Sequence, residues 1–228
     1  MGNPAHPPTL MASSGFQGDT IIYGKDPSFD STVNFYIGVK NIVIDTTGID
    51  KEATIAQLER SVSQATQLTN IVFNMPNDSS HKGIVMQYGG SGTMMGDLTF
   101  NGGAVGLEMG DQQYEAKSLS FNSCHTGISV SHCFDCVFNN CNFANVGTGI
   151  DMTTGQVGVV ILLDSSAKDS GPVISTHSST SGDHTIVIEN FYAGDGVDQV
   201  VVVDGDTLLG ETVTDAWVYG NVFTADGA

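Results

Sequence analysis

The stretch DLTFNGGAVGLEMGDQQYEAKSLSFNSCHTGISV, residues 97–130, carries one pattern twice. LTFN at Leu98 returns as LSFN at Leu119, and GLEM at Gly106 returns as GISV at Gly127, each after 21 residues. A repeat of that length holds a few short strands but not a strand plus a crossover helix. Working outward, the glycine motif extends to GIVM at Gly83, GIDM at Gly149 and GPVI at Gly171, with steps of 23, 21, 22 and 22 residues.

A second motif runs in phase with the first: apolar residues alternate with small or polar ones and end at a polar stop. The apolar residue before the stop falls at Ile44, Phe73, Phe100, Phe121, Phe143, Leu163 and Ile188. The stops include Asp45, Asn74, Asn101, Asn122, Asp164 and Glu189, residue types that tolerate left-handed backbone and bond to nearby peptide groups at turns. Period-two alternation inside a repeat of about 22 residues predicts an all-β fold, a right-handed parallel β-helix whose coils bury their apolar faces on one another. The Leu/Asn framework of leucine-rich repeats, which have similar length, is absent.

This reading gives a single domain. Residues 1–40 form an irregular N-terminal segment with the first strands, 41–192 the coils, and 193–228 a terminal coil or hairpin. Between Lys51 and Leu68, the spacing of Ile55, Leu58, Val62, Ala65 and Leu68 is helical, which predicts one short α-helix over 51–68 decorating the stack. An open solenoid end exposes unpaired strand edges, and pairing of that edge in a homodimer is one way to cover it.

Composition narrows the function. Seven Lys plus Arg against 25 Asp plus Glu leave a formal charge of −18, a field that repels phosphate backbones and anionic lipid. Nucleic acid and membrane partners are therefore not expected. No apolar run reaches the roughly 20 residues of a membrane span, and MGNPAHPPTL lacks the basic and apolar regions of a signal peptide.

Six segments together resemble a known family: NPAHPPTLMASSGF, NFYIGVKNIVIDTTGID, ATQLTNIVFNMPND, HKGIVM, DLTFNGGAVGLEMGDQQYEAKSLSFNSCHTGI and VGTGIDMTTGQVGVVILLDSS. In this order they look like the first β-helix of glycoside hydrolase family 55, over residues 3–175. The resemblance implies an extracellular exo-β-1,3-glucanase that acts with inversion, takes a polysaccharide ligand and needs no cofactor. Family members are longer: two β-helices lie side by side, the cleft runs between them, and the general acid is a glutamate of the second. This chain resembles part of the first, after its opening coils. Gln112 and Gln113 match an NQQ segment facing the cleft, with Asp111 in place of the usual asparagine. The segment SHCFDCVF stands where the family has a tryptophan-rich run suited to stacking on sugar, which makes His132 and Phe134 the substitutes for that platform. The same departure admits a repurposed β-helix serving another small molecule.

Read from the residues alone, an inverting glycosidase needs two carboxyl groups roughly 6.5–9.5 Å apart. Glu108, Asp111 and Asp151 are the candidates, because Glu108 and Asp151 both stand two residues after a motif glycine, with Ser129 in that position on the coil between them. The cysteines leave three readings open. Cys133 and Cys136 have the C-x2-C spacing of a zinc knuckle or of a local disulfide, or all four cysteines are buried thiols. Cys141 sits two before Phe143, as Leu119 sits two before Phe121, and should point inward. His6, His81, His177 and His184 read as solvated loop residues. Asp195, Asp198, Asp204 and Asp206 cluster without the spacing of a calcium loop.

Overall fold

A computed structural model describes residues 2–89, 93–178 and 183–220. The chain forms a right-handed parallel β-helix of about six turns. Each coil has three faces. Face A is built from Thr20–Tyr23, Ala56–Glu59, Lys82–Met86, Val105–Gly110, the start of Thr126–Ala144, Thr148–Asp151, Ile174–Thr176 and Val201–Val203, all paired in parallel. Faces B and C are two halves of the longer strands, such as Thr66–Asn74, Thr93–Asn101 and Gln113–Asn122. A bend divides them at a residue of positive φ, occupied in successive coils by Asn41, Asn70, Asp97, Ser118, Asn140, Asp164 and Asn190. Only short polar side chains fill this left-handed column, because they can bond locally in that conformation.

The two motifs interlock inside the stack. Register places Gly83, Gly106, Gly127 and Gly149 above one another on face A. Opposite them on face C, the rings of Phe73, Phe100, Phe121 and Phe143 stack with centroids 4.8, 4.9 and 5.3 Å apart. A Cβ at Gly106 falls 2.7 Å from the Phe121 ring, so the small residue and the large one are two halves of one packing solution. The stops on face C form a ladder: Asn122 Nδ2 donates to Asn101 Oδ1 and Asn101 Nδ2 to Asn74 Oδ1, both at 2.9 Å.

Three sequence expectations are corrected. No α-helix occurs among the described residues, and the segment read as a helix contains the strand Ala56–Glu59, paired with Thr20–Tyr23 and Lys82–Met86. Ile55, Leu58, Val62 and Leu68 are buried as the spacing suggests, but they face inward from a strand, a corner and the next strand, while Ala65 is exposed. Pairing on both edges outweighs a helix that would satisfy only itself. Neither Leu163 nor Ile188 continues the column of Phe143. Register pairs Phe143 with Ala167 and Leu162 with Ile188, because Asp164 belongs to the bend column and imitates the stop of face C. Nor does Gly171 continue the glycine column, since Ile150 pairs with Ile174 and so sets Val173 beside Gly149.

The ends differ. Val201–Val203 and Asp206–Leu209 form an antiparallel hairpin, and Val213–Tyr219 runs antiparallel along Thr185–Ala193, interrupting the parallel edge. At the other end, Thr9–Met11 and Thr20–Tyr23 each pair on one side only among the described residues.

One interior position breaks the apolar rule. Arg60 follows Glu59, the mate of Val85, and so occupies the inward site that Met86, Met109 and Val130 fill in later coils. It is fully buried, and its Nη2 donates to Ile37 O at 3.1 Å while Nε and Nη1 have no partner. Burial drives its pKa from 12.5 to about 10, a cost of roughly 3 kcal/mol at 1.36 kcal/mol per unit. Losing the bond to Ile37 costs about 1 kcal/mol. Arg60→Met should therefore stabilise the fold by about 2 kcal/mol and raise the melting temperature by roughly 4–8 °C. A melting temperature unchanged or lowered in calorimetry would contradict this account.

Candidate functional site

Corners between faces A and B bring most of the candidate residues together. On two successive coils two outward residues sit between two inward ones. Gln112 and Gln113 are exposed between buried Asp111 and Tyr114, and Phe134 and Asp135 are exposed between buried Cys133 and Cys136. Register stacks Gln113 under Asp135 and Tyr114 under Cys136. The amide of Phe134 donates to Gln112 O at 2.7 Å, and the His132 and Phe134 rings meet edge to face at 5.1 Å.

A groove of about 500 Å³ opens beside this corner. Its walls include Lys25, Asp30, Tyr88, Gly110, Gln112 and His132. The far wall is a loop that a short 3-10 turn, Ser31–Val33, stiffens: Asp30 accepts from Thr32 N and Oγ1. Those bonds, with Lys25 nearby, hold the Asp30 carboxyl below its usual range. Tyr88 is 72% exposed. No repeat position marks Tyr88 in the sequence, since the fifth residue after the motif glycine is exposed Tyr88, buried Asp111 and His132 in turn, with the register shifting just before His132. Lys25 and Asp30 are unmarked too, because their loop lies outside the repeat.

Asp111 points inward rather than into the groove. It is 1% exposed, and neither carboxylate oxygen has a full hydrogen bond. Its oxygens fill the space where a Cβ of Gly89 would stand, with Val62 O on the other side. Burial pushes its pKa up to about 7, the Gln112 amide pulling weakly the other way.

Glu108, Ser129 and Asp151 form a row on face A, with Ser129 paired to both. Two coils separate the carboxylates, about 9.6 Å at the usual strand spacing, which is the upper edge of the inverting range. Their surroundings are structural, however. Glu108 forms an ion pair with Lys82 and accepts from Gln87 Nε2. Asp151 closes a local turn by accepting from Thr153 N at 3.0 Å and Thr153 Oγ1 at 2.6 Å.

The cysteine question resolves into two answers. Cys133 and Cys136 are joined in a disulfide, which displaces both the thiol and the zinc readings for that pair. Cys124 and Cys141 are buried thiols, with burial raising both to about 12. Cys141 pairs with Leu119 and faces inward. Two histidines read as solvated are instead fully buried. His81 bonds Thr46 Oγ1 and Asp50 O through its two ring nitrogens, each at 3.0 Å, and His184 Nδ1 bonds Thr176 Oγ1 at 2.9 Å. The His81 ring joins Thr46 to Asp50, and the His184 ring ties the start of Thr185–Ala193 to the end of Ile174–Thr176, roles that a sequence pattern does not mark. Among the described residues no group of three His, Cys, Asp or Glu is arranged to hold a metal, and no helix is long and apolar enough to cross a membrane.

Comparison with known proteins follows the same direction. The family model for rhamnogalacturonase A/epimerase, pectate lyase-like proteins matches residues 1–151. A probable glucan endo-1,3-beta-glucosidase of Arthroderma benhamiae is 32% identical over 99% of this chain and 28% of its own length. A glucan 1,3-beta-glucosidase of Cochliobolus carbonum is 27% identical over all of this chain and 31% of its own. A non-secreted LysM effector of Penicillium expansum is 30% identical over all of this chain and 20% of its own. The chain thus spans less than a third of the length of these relatives.

Proposed function

The chain belongs to the rhamnogalacturonase A/epimerase, pectate lyase-like family, and from that premise we propose that its corner groove binds β-1,3-glucan. The relatives named as glucan 1,3-beta-glucosidases agree with the resemblance to glycoside hydrolase family 55. The observation that carries the proposal is the meeting of Gln112, Gln113, His132 and Phe134 at one corner beside a groove that also holds exposed Tyr88. Amide and imidazole groups suit sugar hydroxyls, and aromatic rings suit sugar faces. The groove is of ligand size, and its Lys25 stands near Asp30, whose carboxylate balances the charge, which favours a neutral sugar.

Hydrolysis by this chain alone has weaker support. The row of Glu108 and Asp151 has the spacing for inversion, but one carboxylate is held by Lys82 and the other by its own turn. Asp111 retains a proton to about pH 7, yet it is sealed beneath Gly89 and does not reach a substrate. The reading is therefore recognition of glucan by this β-helix. A scaffold repurposed for another small molecule would use the same groove.

Titration with laminarihexaose by calorimetry tests the reading. Saturable binding is expected, weakened about tenfold by Tyr88→Ala or Gln113→Ala, the loss of roughly 1.4 kcal/mol of stacking or hydrogen bonding. Both positions are exposed, so neither variant should melt more than about 2 °C below wild type. No binding at millimolar laminarihexaose would eliminate the glucan reading in favour of another ligand. Glucose release that disappears in Glu108→Ala/Asp151→Ala would instead establish autonomous hydrolysis by the face A row.

A further inference from the structure

The corner that carries Phe134 differs covalently from its neighbours. In the coil before it, the inward pair flanking the exposed residues is Asp111 and Tyr114. In the coil after it, register gives Val157 and Val160. Only at Cys133 and Cys136 is the inward pair bonded, and both sulfur-bearing residues are fully buried. Two ordinary apolar side chains suffice one coil later, so folding the corner does not by itself require a bridge.

What the bridge does is close Phe134 and Asp135 into a four-residue ring. The amides of both residues converge on one acceptor, Gln112 O, at 2.7 and 3.4 Å. Below the next coil, Gly158 leaves space against Phe134 O, where a Cβ would come within 2.4 Å. The backbone of Phe134 is thus fixed from inside by sulfur, from one side by Gln112 and from the other by Gly158. The residue, in contrast, is 57% exposed, and its ring meets that of His132, a wall of the groove. An exposed ring on a mobile corner loses freedom when it stacks on a ligand, and a ring on a fixed corner has lost much of it already.

We propose that the Cys133–Cys136 disulfide is a positioning element that presents Phe134, backed by His132, as a preorganised aromatic platform for a sugar ring in the corner groove. The inference rests on the glucan-binding reading of that groove. It assigns to a covalent bond the rigidity that large indole rings would otherwise supply by their own packing.

The test is a coupling measurement on the full chain. Laminarihexaose affinity is measured by calorimetry for wild type, Cys133→Val/Cys136→Val, Phe134→Ala and the triple variant. Valine is the replacement because Val157 and Val160 fill the same inward sites one coil on, and thermal melts confirm that each variant is folded at the assay temperature. The bridge variant should bind about fivefold more weakly than wild type, and the triple variant no more weakly than Phe134→Ala alone. Thiol titration of denatured, unreduced wild type should find two thiols, those of Cys124 and Cys141. Should the valine pair not fold, the Cys133→Ala/Cys136→Ala pair takes its place.

Four thiols in wild type would overturn the inference, as would undiminished binding by the bridge variant. An equal loss on removing the bridge with and without the Phe134 ring would overturn it too, because the effect would then be general loosening. Failure of wild type to bind laminarihexaose would sink the glucan reading itself, a result distinct from wild-type binding without coupling.

Discussion

Replacing Phe121 by alanine is expected to lower the unfolding free energy by about 4 kcal/mol and the melting temperature by roughly 8–16 °C. Phe121 has no exposed surface, and its ring lies between those of Phe100 at 4.9 Å and Phe143 at 5.3 Å. The hole cannot close by collapse. Coil spacing is set by parallel pairing on all three faces and by the asparagine ladder, so neighbouring rings stay where they are and the cavity remains. Phe143→Ala makes a useful contrast. Its upper neighbour in the column is already Ala167, so that variant removes ring contact from one side only and should cost about 1 kcal/mol less. Calorimetry of the two variants checks both values. A loss below about 2 kcal/mol for Phe121→Ala would mean that the stack relaxes, and the interlocked columns would not be the main support of the fold.

The periodic parts of this architecture were legible because they repeat. Phe73, Phe100, Phe121 and Phe143 occupy one column, as the alternation predicts, and Glu108, Ser129 and Asp151 share one row of face A. Legibility fails wherever two physical requirements select the same residue type. Asp164 at the left-handed bend and Asn122 in the ladder are both short polar residues after an apolar one, and only register separates them. Ile55, Leu58 and Val62 fail for a related reason: a strand followed by a corner can bury residues at intervals of three and four, as a helix does. The corner groove was half visible. Gln112 and His132 are marked by the family resemblance, whereas Tyr88, Lys25 and Asp30 are marked neither by it nor by the repeat. That Asp111 turns inward was hidden altogether, since Asp111, Gln112 and Gln113 are consecutive and only the bend of the corner distinguishes them.

Asp111 gives the second large effect, and it depends on pH. In the unfolded chain its carboxyl ionises near pH 3.9, but in the fold it holds its proton until about pH 7. Between those values the folded state binds the extra proton. Stability contributed by this group is therefore fully present below about pH 4 and falls by about 1.4 kcal/mol per unit as pH rises. The total loss approaches 4 kcal/mol above pH 7. Asparagine, which the family resemblance places at this position, has nearly the same shape and no charge. Asp111→Asn should therefore remove this slope. At pH 4 it should match wild type or fall about 1 kcal/mol below it, because the buried amide also finds few partners. At pH 8.5 it should be more stable than wild type by about 3 kcal/mol. Urea unfolding of both proteins at pH 4, 5.5, 7 and 8.5 measures the difference directly, and a difference that stays flat with pH would show that Asp111 is solvated or paired. The outcome also bears on the groove. If laminarihexaose binds Asp111→Asn as it binds wild type while stability gains its expected increment, the buried acid belongs to the scaffold beneath Gln112. If binding falls while stability rises, the proton held under the corner sets the position of Gln112, and the groove is built at the expense of the fold.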